Sequence, residues 1–191
     1  MQPVCVTRTT RETAVTVRLA RGAGPVEIDT GIGFFDHMLT ALAVHSGFSL
    51  AISAKGDLNV DGHHTVEDVG IVLGDAFAQL LGDRSGIARY GTATIPMDEA
   101  LGFCSLDISG RPFLVFDVPM PQERIGEYDA CLTKEFFRAF AFHAGITLHL
   151  KGVYGENSHH ITEALFKAAA HALRQGAEPT RAGALSTKGV L

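Results

Sequence analysis

Two hydrophobic rhythms alternate along the chain. Residues 13–21 (TAVTVRLAR) and 26–30 (VEIDT) switch between apolar and polar side chains at every step, the period of two expected of half-buried strands. From 34 to 46 the apolar positions fall instead at Phe34, Phe35, Met38, Leu39, Leu42 and Ala43, the stripe of a helix with one buried face, and Gly47 is placed to stop it. A strand over 48–54 and a long helix over 63–81 follow, the helix buried along Val66, Val69, Val72, Leu73, Phe77 and Leu80. The pattern then begins again. Strands are expected at 100–108 and 112–118 around a turn at Ser109-Gly110-Arg111, then a helix over 132–144, a strand over 146–152 and a helix over 158–173. Two sheets with the helices packed between them would bury every apolar face, so the expected class is α+β.

The recurrence extends to the residues themselves. Residues 37–53 (HMLTALAVHSGFSLAIS) align without a gap on 135–151 (EFFRAFAFHAGITLHLK), and 61–68 (DGHHTVED) align on 157–164 (NSHHITEA). Both landmarks recur in the same order, which points to a duplication: a first half at 1–92, a second at 93–180, and a tail at 181–191.

Composition narrows the function. With 46% hydrophobic residues among 191, the chain can bury a substantial core, and a net charge of −5 argues against a nucleic-acid partner. No apolar run approaches a membrane span, and the first residues lack the pattern of a secretory leader. Three scattered cysteines, Cys5, Cys104 and Cys131, fit neither a disulfide framework nor a zinc knuckle, and the expected compartment is the cytoplasm.

The nine histidines carry the chemistry, because four of them form two adjacent pairs. His63-His64-x-x-Glu67 and His159-His160-x-x-Glu163 each open a predicted helix. Residues four apart share a helix face, so His63 with Glu67, and His159 with Glu163, can hold one cation. The middle histidines, His64 and His160, point about 100° away and must serve another ion. The economical solution is two symmetric sites, each combining a His/Glu pair from one motif with the middle histidine of the other. The preceding helix supplies a fourth ligand to each: His37, or its aligned counterpart Glu135. The expected sets are His37, His64, His159 and Glu163, and His63, Glu67, Glu135 and His160. Nitrogen and carboxylate donors without thiolate suit Mn²⁺, Fe²⁺ or Zn²⁺, and an open metal is usually catalytic. His45, His143, His149 and His171 are single histidines in apolar patterns and read as structural.

Eight segments resemble one family: Arg8-TTRET, Phe35-DHML, Asp61-GHHTVED, Arg89-YG, Pro96-MDEAL, Asp107-ISGRP, 155–168 (GENSHHITEALFKA) and Ser186-TKGV together are similar to imidazoleglycerol-phosphate dehydratases. The resemblance implies a carbon–oxygen lyase of histidine biosynthesis. It would convert imidazole glycerol phosphate to imidazole acetol phosphate through an imidazolate/diazafulvene intermediate stabilised by two Mn(II) ions per active site. It implies a ribosomal protein S5 domain 2-like fold with two four-stranded sheets, Glu12 as acid–base residue beside the ligating carboxylates Glu67 and Glu163, and a phosphate site of Arg89, Arg111, Lys167, Ser186 and Lys188. Asp98 and Glu99 lie in one of its motifs, Asp98 as a candidate substrate contact. It also implies a homo-oligomer, a 24-mer built of trimers. Many members carry histidine where this chain has Glu135. Two rivals predict different things: a dinuclear hydrolase would hold its metals about 3.5–4 Å apart around a hydroxide, and a metal-storage shell would have no use for Glu12 or the basic tail.

Overall fold

The computed structural model describes residues 3–180, 183, 185 and 186. β1 (Val4–Thr9) pairs antiparallel with β2 (Thr13–Asp29), which points Val15, Val17 and Leu19 to one face, because strand neighbours project to opposite sides. β3 (Phe48–Gly56) turns Phe48, Leu50, Ile52 and Ala54 to the same side and sets Ile52 opposite Val17. The separate strands expected at 13–21 and 26–30 are one element that bends at Gly22, where φ is 90°, a conformation that glycine adopts without a side-chain clash. Beyond the bend, Val26–Asp29 meets Leu50–Ser53 with both numbers rising together, so Ile52 has Val17 on one edge and Ile28 on the other. The sheet is therefore four strands wide, although β2 supplies two of them.

The second sheet repeats the plan with separate strands. β4 (Tyr90–Met97), β5 (Ala100–Asp107), β9 (Thr147–Tyr154) and β6 (Phe113–Asp117) lie in the order β4-β5-β9-β6, with β6 parallel to β9. A short ribbon, β7 (Arg124–Ile125) with β8 (Tyr128–Asp129), leads into the helices of this half. β1, β4 and this ribbon are not evident from the pattern. β1 is a sheet edge with no residue fully buried, and β4 (YGTATIPM) has few large apolar side chains.

Four helices, α1 (Gly33–Ser46), α2 (His63–Leu81), α3 (Leu132–Ala144) and α4 (Ser158–Gly176), fill the space between the sheets. α1 and α3 end alike, on left-handed Gly47 and Gly145, whose N–H groups return to Ala43 and Ala141. α4 runs three residues past the expected end, to Gly176, where an added Cβ would crowd Leu106 and Ile108. α1 packs on α4 and α2 on α3, so both helix pairs join the two halves. Gly70 and Gly74 make the α2–α3 contact possible: a methyl group there would lie 2.8 Å from the carbonyl oxygens of Phe136 and Phe140 respectively. The core is continuous across the halves. Phe136 is fully buried, with ring centroids 5.3 Å from Phe35 and 5.3 Å from Phe166. Among the described residues no helix is long and apolar enough to cross a membrane.

Candidate metal centre

Both His-His motifs begin their helices under a polar side chain at the same repeat position. Asp61 accepts a hydrogen bond from the backbone of His63 (2.8 Å), and Asn157 from the backbone of His159 (2.9 Å). These contacts satisfy free N–H groups of the first turn and hold the histidines at the helix mouth.

At the mouth of α4 three side chains converge. Glu163 Oε2 lies 3.3 Å from His159 Nε2 and 3.4 Å from His37 Nε2, and their ligand atoms all fall within 4.8 Å of one another. Donors bound 2.0–2.2 Å from one ion sit roughly 3–4 Å apart, so this spacing fits a shared cation. Glu163 is buried while His37 is exposed, leaving the group open on one side. Its other oxygen, Oε1, accepts from Lys167 Nζ at 2.7 Å. Burial pushes the Glu163 carboxyl upward, but the Lys167 hydrogen bond and charge, with His37, outweigh it and hold the group below its ordinary value.

The first half shows a looser version. His63 Nε2 lies 3.6 Å from Glu67 Oε2, one helical turn on. Glu135 lies in the first turn of α3, where its carboxylate is engaged by Arg138 at 3.2 Å. Among the described residues only His37, His159 and Glu163 converge as a group of three.

His64 and His160 do not join these groups within one chain, as their helical phase requires. His64 Nδ1 meets both oxygens of Asp57 at 3.1 Å, with Glu12 Oε2 at 3.9 Å. His160 Nδ1 meets Glu99 Oε2 at 2.6 Å, with Asp98 Oδ2 3.6 Å from Nε2. Hydrogen bonding to these carboxylates raises the pKa of both rings. The same contact, with backbone donors from Glu156 and Asn157, lowers Glu99 to about 2. Among the described residues neither expected four-residue set comes together within one chain: His64 is held by Asp57 and His160 by Glu99.

A separate cationic corner forms where β4 and β5 meet the tail. Arg89 donates to Asp107 through Nε (2.6 Å) and Nη2 (3.1 Å), and through Nη1 to the carbonyl of Leu185. It takes the left-handed conformation (φ 72) and is buried. Arg111 also reaches Asp107, at 3.2 Å, but its side chain is 71% exposed. Ser186 lies in the same tail, and Lys188 lies outside the described residues.

Comparison with known proteins decides the family. Residues 30–173 match the family model described as imidazoleglycerol-phosphate dehydratase. The chain belongs to the imidazoleglycerol-phosphate dehydratase family. Among its relatives, the dehydratase of Gluconobacter oxydans is 57% identical over 188 residues, covering 96% of this chain and 95% of that protein. The dehydratase of Acetivibrio thermocellus is 53% identical over 97% of both. The crystal structure of the Staphylococcus aureus dehydratase superposes with a TM-score of 0.86 at 40% identity, covering 94% of this chain and all of that one. The Pyrococcus furiosus dehydratase, solved in complex with (S)-C348, gives 0.85 at 40%, covering 97% of this chain and all of that one. The α+β class is therefore that of the imidazoleglycerol-phosphate dehydratases, and the chain is an enzyme of the hydro-lyase class.

Within that family frame, several side chains differ from their expected surroundings. His143 and His149 are exposed rather than set in apolar packing, and His143 pairs with Asp75 at 2.9 Å. His45 and His171 are half-buried with ring centroids 5.5 Å apart. Asp57 and Asp107, which grip His64 and the two arginines, do not stand out in the sequence as site residues, and Glu99, which grips His160, stands out only as part of a motif. Acidic side chains in turns and at strand ends are common, and only the fold shows which basic groups they face.

Proposed function

We propose that the chain dehydrates imidazole glycerol phosphate to imidazole acetol phosphate in histidine biosynthesis, at sites that hold two Mn(II) ions between neighbouring copies. The observation that carries this reading is the convergence of His37, His159 and Glu163 beside a His160 whose Nδ1 is held by Glu99, in a chain whose relatives are dehydratases. One site takes His37, His159 and Glu163 from one chain and His64 from another; the second takes His63, Glu67, Glu135 and the neighbour's His160. The resulting homo-oligomer is the 24-mer of trimers expected of the family. The halves 1–92 and 93–180 are copies of one unit, which is why the two sites are alike.

The ions, when bound, would supply positive charge beside the imidazole ring, so that the ring could expel the hydroxyl on the carbon next to it and take the electron pair back when the proton on the following carbon leaves. The chain's own groups do the rest. Glu163 in one site, and Glu67 with Glu135 in the other, add negative charge among the histidine ligands. Glu12, whose side chain is 56% exposed on the turn between β1 and β2, takes the proton from the second carbon out from the ring while the hydroxyl on the first leaves as water, which gives the enol of the ketone product. Arg111, Lys167 and the tail at Ser186 and Lys188 hold the phosphate, and Arg89 fixes that tail through Leu185. Asp98, 3.6 Å from His160 Nε2, is the candidate substrate contact.

Product formation from imidazole glycerol phosphate should stop after thorough chelation and return with Mn(II) better than with Mg(II), because imidazole ligands disfavour the harder ion. Glu12→Gln should keep substrate binding and lower kcat by roughly 10²-fold or more. Full turnover by metal-free protein, or an unchanged kcat for Glu12→Gln, would remove the corresponding part of the mechanism.

A further inference from the structure

The structure assigns Asp57 and Glu99 as positioning residues: each binds Nδ1 of its half's middle histidine, His64 or His160, so that Nε2 is the atom presented to the metal. This rests on the proposed role of both histidines as ligands. A carboxylate only accepts, so the nitrogen facing it must carry the proton. At pH values where the ring is neutral, that fixes the Nδ1–H tautomer and leaves the Nε2 lone pair free. Glu99 is well placed for the task. One of its oxygens holds His160 at 2.6 Å, while the other accepts from the backbone N–H groups of Glu156 (3.1 Å) and Asn157 (2.9 Å), tying the ring to the start of its own helix. Asp57 grips His64 with both oxygens at 3.1 Å.

The two halves solve the same problem with different residues. Glu12 is the last residue before β2 and Glu99 the last before β5. The step that carries Val17, opposite Ile52, onto Cys104, opposite Leu150, also carries Glu12 onto Glu99. The turn glutamates are therefore structural counterparts, each beside the middle histidine of its half. In the second half the glutamate makes the Nδ1 contact itself. In the first half Asp57 has taken that contact, and Glu12 stands 3.9 Å from Nδ1, outside hydrogen-bond reach. Neither residue that aligns with Asp57, Val153 or Gly155, carries a carboxylate. The division explains why only one of two equivalent glutamates is free for proton transfer: Asp57 relieves Glu12, while Glu99 is occupied.

The test is a double-mutant cycle on Mn(II) affinity, read from the free-ion signal in electron paramagnetic resonance. Glu99→Gln replaces an acceptor with an amide that donates to Nδ1 and drives the proton onto Nε2. Mn(II) binding should weaken roughly 10–100-fold, and the change should disappear in a His160→Ala background. Normal affinity in Glu99→Gln, with His160→Ala impaired, would overturn the assignment and leave the metal reading standing. An additive loss in the double variant would also overturn it, since Glu99 would then act only through the backbone of Glu156 and Asn157. Unchanged binding in His160→Ala would sink the ligand assignment itself and the positioning role with it. If Glu99→Gln does not fold, the same cycle with Asp57→Asn and His64→Ala decides the question by the same outcomes.

Discussion

Lys167→Met should destabilise the metal-free protein far more than the metal-loaded one. Methionine keeps the length and apolar stem of lysine but removes the charge. In the structure the ammonium sits 2.7 Å from Glu163 Oε1, with side-chain exposures of 18% for Lys167 and 9% for Glu163. A charge-assisted hydrogen bond at this depth contributes roughly 1.5–3 kcal/mol, and its removal strands a largely buried carboxylate. The two histidines at 3.3 and 3.4 Å offset only part of that cost. A divalent ion at Oε2 would offset most of it, because it supplies the missing positive charge next to the same carboxylate. The expected loss is therefore about 2–3 kcal/mol after chelation, and under about 1 kcal/mol with Mn(II) bound. For a chain of this size, 1 kcal/mol corresponds to roughly 2–4 °C in Tm. Paired thermal or urea denaturation of wild type and variant, with and without metal, measures both losses. Equal losses in the two states would refute the idea that Glu163 faces the metal with one oxygen and Lys167 with the other.

The two arginines on Asp107 should separate cleanly. Arg111→Ala should raise KM for the phosphate-bearing substrate with little change in stability, since its side chain is 71% exposed, whereas Arg89→Ala should cost roughly 2–3 kcal/mol of stability; the reverse pattern in kinetics and denaturation would count against this division. Burial works to raise the Asp107 carboxyl, but Arg89, with Ser109 and Arg111, holds it below its ordinary 3.8. A depressed folded pKa contributes stability above the unfolded value and loses it as pH falls through the folded one. Wild type should thus exceed Asp107→Asn at pH 7, and the gap should close below about pH 4; a gap independent of pH would contradict it.

Much of this was legible in the sequence because distinctive residues recur in it in the same order. The His-His-x-x-Glu motifs, the glycine stops at Gly47 and Gly145 and the stripe of α2 are local signals, and the helices follow them within a few residues. Strands with weak alternation were not legible: β1 and β4 are held by pairing with β2 and β5 more than by their own side chains. The bend at Gly22, which makes one element line both edges of β3, is likewise a tertiary fact. Helical phase separated the middle histidines from their neighbours correctly, since one residue turns a helix by about 100°. It could not show what those rings face instead. Asp57 and Glu99 acquire their roles only when the turn before β5 and the loop before α2 are brought against the helix mouths.

Subunit mixing tests most directly whether the sites form between chains. His64→Ala and His159→Ala should each be inactive alone, because each damages the site built from His37, His159, Glu163 and a neighbour's His64. In oligomers reassembled from an equal mixture, a site can draw His159 from one variant and His64 from the other. Random exchange should then restore roughly a quarter of wild-type sites, visible as regained dehydration of imidazole glycerol phosphate with Mn(II) present. A reassembled mixture that stays as inactive as its components would contradict a metal centre shared between neighbouring chains.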